Sequence, residues 1–196
     1  MTETEWDKFL KIKTTGRDDS HSDQYRYPYE PTPYRVLERL AGSGYIGKRN
    51  TVLDYGCGKG RVGLFLAYQI RCRCVGIEYD ERIYEAAVRN KESAAAGARA
   101  DFVHARAEAY KVPDPADRFY FFNPFSAEIL HGVVGRLKES WYAQPREMLL
   151  FFYYPSDEYV SYLMTVDELM FVDEIDCQDL FEGDNSRERI MVFEMA

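Results

Sequence analysis

The stretch Val52-Leu53-Asp54-Tyr55-Gly56-Cys57-Gly58-Lys59-Gly60 constrains this chain more than any other. A short apolar run ends on an acid and enters three glycines at alternate positions. A run with helical spacing follows at once: Val62, Leu64, Phe65, Leu66 and Ile70. Strand, glycine-rich turn and helix together form a general ligand-holding device, because glycines admit close backbone approach and a helix N-terminus offers unpaired N–H groups. In an open parallel sheet the ligand lies beyond the carboxyl ends of the strands. A dinucleotide turn has the form G-x-G-x-x-G. Here Gly56 and Gly58 supply the first two glycines, but the third position falls on Arg61 and the glycine comes one residue early, at Gly60. Asp54 stands at the strand end, where a carboxylate suits an ammonium group and repels a pyrophosphate. The next apolar segment ends Val75-Gly76-Ile77-Glu78. A carboxylate there, on a neighbouring strand, can accept hydrogen bonds from both hydroxyls of a ribose.

The rest of the chain alternates strand and helix patterns. Strands are expected at Thr51–Tyr55, Cys72–Glu78, Ala100–His104, Phe119–Phe122 and Met148–Tyr153, and helices at Gly60–Ile70 and Glu81–Ala96. Such alternation implies a parallel sheet covered on both faces. Two late segments, Met170–Cys177 and Arg189–Glu194, joined across Gly183-Asp184-Asn185, read as an antiparallel hairpin appended to that sheet. Before it, Trp6, Phe9 and Leu10 fit one side of a short amphipathic helix. A second helix is expected from Thr32, with Thr32 as its cap, Pro33 in its first turn, and Gly42 and Gly44 ending it. The fold class is therefore α/β, doubly wound, with a mostly parallel sheet, helices on both faces and a C-terminal antiparallel hairpin.

With Asp54, Gly56, Gly58, Gly60 and Glu78 in place, residues 30 to 155 resemble, in motif and element order, the class I, Rossmann-like S-adenosylmethionine-dependent methyltransferases. Their first motif, acidic-x-G-x-G-x-G, is matched by the first four, and their acidic residue at the end of the second strand by Glu78. The resemblance implies a seven-stranded sheet with a reversed last strand. It also implies S-adenosyl-L-methionine as cofactor and S-adenosyl-L-homocysteine as product. The family's adenine segment corresponds to Phe102–Glu108. Arg106 stands where many members carry an aspartate, so the contact passes to the backbone N–H of Ala107 or to Glu108.

After the fourth strand comes Asn123-Pro124-Phe125, similar to a shortened form of the family's N-P-P-Y/F motif, which serves nitrogen methylation. The resemblance gives the Asn123 oxygen the task of orienting an acceptor nitrogen and Phe125 that of stacking on the substrate. Tyr29 and Thr32 precede the first long helix, where segments of this family often cover the cofactor. Residues 1–34 therefore read as an extension or lid, and 35–196 as the methyltransferase domain. His131 is a candidate general base. Trp141 and Tyr142 are candidates for the acceptor pocket or for the core.

The formal net charge of −8 argues against loose, charge-driven binding to nucleic acid or to anionic membranes. Residues 1–13 carry Glu3, Glu5 and Asp7 and no long apolar core, which is unlike a secretory signal, and no stretch reaches bilayer-spanning length. A cytoplasmic location follows as an expectation, with Cys57, Cys72, Cys74 and Cys177 as reduced, buried thiols and no metal site. The tyrosines Tyr25, Tyr27, Tyr29 and Tyr34 cluster in a proline-containing stretch and are candidates to line a pocket. The leading expectation is methyl transfer to a nitrogen of a small molecule or protein side chain. The rivals are a cofactor-holding module without catalysis, a nucleic-acid methyltransferase, and a nucleotide-dependent oxidoreductase.

Overall fold

The computed structural model describes residues 1–17 and 29–196. Asp18-Asp19-Ser20, Tyr25 and Tyr27 lie outside the described residues. Seven strands form one sheet: β1 (Thr51–Tyr55), β2 (Arg73–Glu78), β3 (Ala100–His104), β4 (Arg118–Phe121), β5 (Met148–Tyr153), β6 (Leu169–Asp176) and β7 (Arg189–Met195). The helices are α1 (Glu3–Leu10), α2 (Tyr34–Gly42), α3 (Arg61–Gln69), α4 (Glu81–Ser93), α5 (Ala127–Ala143) and α6 (Asp157–Leu163).

The strand order is β3-β2-β1-β4-β5-β7-β6. All neighbours from β3 to β5 pair in parallel, and β7 runs antiparallel to both β5 and β6. The closing hairpin is thus not simply appended in chain order, because β7 inserts between β5 and β6. The chain starts in the middle at β1, builds outward to β3, and returns to β4 on the other side of β1. That reversal opens a crevice at the carboxyl ends of β1 and β4, where ligands of such sheets bind.

Both faces are covered, so the central strands are apolar throughout rather than alternating. Every residue of β5, Met148-Leu149-Leu150-Phe151-Phe152-Tyr153, is buried. Val52, Tyr120, Phe151 and Val192 enter one core, with Leu37 and Leu40 of α2 and Leu64 and Phe65 of α3. Leu53, Phe121, Phe152 and Phe193 enter the other, with Leu130 and Val134 of α5 and Leu163 of α6. Phe121 and Phe152 stack across neighbouring strands at 4.5 Å. Among the described residues, no helix is long and apolar enough to cross a membrane. All four cysteines are buried and unbridged.

The N-terminal segment is part of the first core. A capping box starts α1: Thr2 N–H donates to Glu5 and Glu5 N–H to the Thr2 hydroxyl. Trp6 stacks on Tyr34 and meets Phe65 edge-on at 5.1 Å. Phe9 stays on the surface against Tyr68. The expected cap of α2 is corrected: Pro33 occupies the N-cap position with no side-chain cap bond, and the Thr32 hydroxyl pairs instead with the Tyr120 phenol at 3.0 Å.

Arg61 opens α3 and is only 2% exposed. Its Nε donates to the Thr14 hydroxyl at 2.7 Å, one terminal nitrogen to Glu3 and the Thr32 carbonyl, and the other to the Thr15 hydroxyl. The guanidinium also stacks 4.2 Å from the Tyr34 ring centre. Asp7 gathers the opposite charge, accepting from the backbone and hydroxyl groups of Thr14 and Thr15 and from the Tyr34 phenol. Removing one partner of a buried charged network leaves the other unpaired and costs about 3–5 kcal/mol. Arg61→Ala is therefore expected to lower the melting temperature by about 6–12 °C, taking about 3 kcal/mol at ~2–4 °C per kcal/mol. Scanning calorimetry checks this; an unchanged Tm would show that the network is not stabilising.

Candidate active site

The crevice beyond β1 and β4 is a cleft of about 480 Å³. Small-molecule sites run from roughly 300 to 1,000 Å³. Its floor is the turn from β1 into α3. Gly56, Gly58 and Gly60 all have positive φ, at 72°, 55° and 84°. At Gly56 the constraint is double, because a side-chain carbon there would lie 2.3 Å from the Pro124 ring. The glycine turn and the Asn123-Pro124-Phe125 segment are therefore in direct contact, although 67 residues separate Gly56 from Asn123. A side chain at Gly58 would meet the Tyr29 ring at 2.2 Å. Tyr29 is tethered by its hydroxyl to the Thr14 carbonyl at 2.6 Å, and Lys59 sits 4.7 Å from its ring centre.

Two carboxylates face the cleft with different electrostatics. Asp54 is 3% exposed, and its Oδ2 is buried with no hydrogen-bond partner among the described residues. Burial, and secondarily the charge of Glu78, push its carboxyl up to about 8. Glu78 is satisfied by three backbone donors: Gly58 N–H at 3.0 Å on one oxygen, and Tyr79 and Asp80 N–H at 2.8 and 2.9 Å on the other. Burial also raises its pKa, opposed by those bonds. A carboxylate has about four acceptor sites, so one remains open on this cleft-lining residue.

Ala107 and Glu108 lie on a short turn after β3 and line the cleft, as does Ala105. Arg106, the departure from the family pattern, is 60% exposed and reaches outward to Glu108 at 3.4 Å, clear of the cleft wall. Thr32, Pro124 and Phe125 also line the cleft. Phe125 is buried against Phe121, and its carbonyl accepts the Tyr159 hydroxyl at 2.5 Å.

Asn123 reaches the cleft in an unexpected attitude. Its amide nitrogen donates to the Tyr154 carbonyl and its oxygen accepts the Ser156 N–H at 3.3 Å. The side chain thus joins the ends of β4 and β5, and its oxygen is already engaged. Both Asn123 and Tyr154 hold positive φ, at 37° and 51°, a strained pairing of the kind that collects at functional sites. His131 lies on α5, exposed, with its ring tilted against that of Tyr162 at 3.8 Å, and does not line the cleft. Trp141 and Tyr142 are likewise remote, with Tyr142 exposed and bonded to Glu168.

The structure adds residues that the sequence pattern did not single out. Tyr120 sits beside Asp54 in the β1–β4 register, on the same face. Phe122, Tyr154, Phe181 and Glu188 complete the far wall with Tyr153. One topological signal could have found Glu188: a reversed strand begins at the edge where parallel strands end, so residues just before β7 belong to the cleft. Among the described residues, six carboxylates line the cleft (Glu30, Asp54, Glu78, Asp80, Glu108, Glu188) against two arginines, Arg17 and Arg61.

The fold, the G-x-G-x-G turn and the two strand-end acids together are consistent with the class I, Rossmann-like S-adenosylmethionine-dependent methyltransferases. A family model described as a methyltransferase domain matches residues 52–137. A protein-lysine N-methyltransferase of Saccharolobus islandicus (strain REY15A) is 39% identical over 61 residues, spanning 30% of this chain and 38% of that relative's length. An RNA methyltransferase from Salinibacter ruber, solved with S-adenosyl-L-homocysteine, superposes with a TM-score of 0.55 at 19% identity, covering 85% of this chain and 94% of its own. A TehB-like SAM-dependent methyltransferase from Corynebacterium glutamicum gives 0.57 at 16% identity, covering 80% and 86%. These two likenesses establish the fold. The cofactor of this class fits the residues present, because the partnerless Asp54 oxygen suits a cationic amino-acid end and the open Glu78 acceptor suits a ribose.

Gly56→Ala is expected to displace the turn or Pro124 and to weaken S-adenosyl-L-homocysteine binding at least tenfold, measured by calorimetry. Wild-type affinity in that variant would mean that the close contact with Pro124 is not needed.

Proposed function

We propose that this chain transfers a methyl group from S-adenosyl-L-methionine to a nitrogen of a small molecule or protein side chain. The observation that carries this reading is the cleft itself: acidic, lined with aromatic rings, and built on a buried carboxylate that lacks an internal partner. Such a surface favours a cationic cofactor and a basic acceptor, and it repels polyphosphate chains. The lysine-modifying relative supports an amine as acceptor.

When bound, the cofactor supplies a methyl carbon activated by a positive sulfur, which keeps the bonding electron pair as the acceptor takes the carbon. The protein's own work is positioning and exclusion of water. In this reading Asp54 holds the amino group, Glu78 the ribose, and Ala107 and Glu108 the adenine edge. Gly56, Gly58 and Gly60 provide the close approach. Tyr29 and Thr32, with Thr14 and Thr15, form a cover over the methionine end, anchored by Arg61. Pro124 and Phe125 face the methyl group, and Asn123 positions them by bridging to the loop after β5.

Calorimetric titration with S-adenosyl-L-homocysteine and with NAD tests the cofactor. The first is expected to bind and the second not; the reverse result defeats the reading. Binding requires ionised Asp54, whose carboxyl is raised to about 8. Below that pH each binding event must displace a proton. Affinity is therefore expected to rise with pH toward about 8 and to level off above it. Asp54→Asn should bind more weakly, without that rise. Asn123→Ala is expected to leave cofactor affinity within twofold and to lower turnover at least tenfold, read with labelled methyl donor.

A further inference from the structure

The far wall of the cleft is the part that the cofactor cradle does not use. β7 runs against the other strands, so the residues ahead of it stand at the same edge as the ends of β4 and β5. Glu188 lies two residues before Ile190, whose cross-strand partner is Tyr153. The Tyr153 hydroxyl donates to Glu188 Oε2 at 2.6 Å, the one hydrogen bond to this carboxylate among the described residues. Burial and that bond hold the Tyr153 phenol far above its ordinary range, so it stays a donor.

The charges nearest in sequence are engaged elsewhere. Arg187 lies 4.4 Å from the Tyr154 ring centre and donates to the Pro155 carbonyl, and Arg189 pairs with Glu174 at 3.1 Å. Among the described residues no cation pairs with Glu188. It is half-buried and lines the cleft beside Phe122 and Tyr153, whose rings lie 4.7 Å apart, with Tyr154 at 6.1 Å from Tyr153. A half-buried carboxylate without a cation, next to aromatic rings, is a site of the kind that takes an organic ammonium.

We propose that Glu188 is the acceptor-side anchor, binding the substrate as an alkylammonium ion and then removing its proton. The inference rests on the methyl-transfer reading above and names the residue that selects an amine. The step balances simply: an N–H bond breaks, an O–H bond forms on the Glu188 carboxylate, and the electron pair stays on nitrogen as the nucleophile. Tyr153 is a positioning residue that fixes the carboxylate by its hydroxyl. Phe122 and Tyr153 offer ring surface to the charge and the alkyl chain.

The test uses the full chain saturated with S-adenosyl-L-homocysteine and two probes of equal length, n-hexylamine and n-hexanol, titrated by calorimetry. Wild type is expected to bind the amine at least tenfold more tightly than the alcohol. Glu188→Gln should reduce that preference below twofold while leaving cofactor affinity within twofold. Glu188→Asp should recover part of it, and Tyr153→Phe should fall between. With labelled methyl donor, Glu188→Gln should also lower kcat/KM for n-hexylamine at least tenfold. Equal binding of the two probes to wild type, or an undiminished preference in Glu188→Gln, overturns the assignment while leaving the cofactor reading intact. Failure of wild type to bind S-adenosyl-L-homocysteine overturns both.

Discussion

One guanidinium ties the site together. Arg61 begins the helix that follows the glycine turn, so whatever it grips is fixed relative to the floor of the cleft. It grips Glu3, Thr14, Thr15 and the Thr32 carbonyl, and it lies against Tyr34. Asp7 closes the same network from α1. Arginine suits this place because its planar fork can serve several acceptors at once while its face packs on an aromatic ring. Asn90 of α4 adds a second tie, accepting from Lys13 N–H and donating to the Lys13 and Lys59 carbonyls. The strap of residues 11–15 is thereby held between α1 and the turn that it overlies.

The second organising fact is the strand period of two. Asp54, Tyr120, Phe122 and Tyr153 fall on the face that carries α1, α2 and α3, while Tyr55, Phe121 and Phe152 fall on the face that carries α5 and α6. A shift of one residue in β1, β4 or β5 would replace Asp54, Tyr120 or Tyr153 by a core ring. The same alternation that fills two cores therefore assembles the cleft, and the site is a by-product of covering a parallel sheet on both sides.

This explains which parts were legible in the sequence. β1, β3 and β5 were readable to the residue, since each is a short apolar or β-rich run bounded by turn signals. Asp54 and Glu78 were readable as strand-end acids because their positions depend only on local pattern. The helices α5 and α6 are not marked out in the sequence reading, although Ser126 and Ser156 cap their first turns. In the sequence Arg61 marks only the departure from the dinucleotide spacing, yet its partners are Glu3 and Asp7, 58 and 54 residues away, and no local spacing records that. The attitude of Asn123 was equally hidden. A side chain can be placed at a strand end from sequence, but its hydrogen bonds to Tyr154 and Ser156 depend on where another strand ends.

The electrostatics of the cleft connect these points. A protein does not leave a carboxylate buried and partnerless without a reason, because desolvation destabilises its charged form. Asp54 meets this by binding a proton more tightly, with its carboxyl raised to about 8. Glu78, half-buried, is supported by three N–H donors, one of them Gly58 of the glycine turn. The two acids therefore differ in what they do: Glu78 maintains the shape of the turn, and Asp54 leaves an electrostatic vacancy in the cleft. Glu188 repeats the second arrangement on the far wall, in a wetter setting where a single phenol suffices to hold it. A cleft with one such vacancy at each end is suited to two positively charged partners whose reaction lies between them, with the sheet's central strands setting the distance from one to the other.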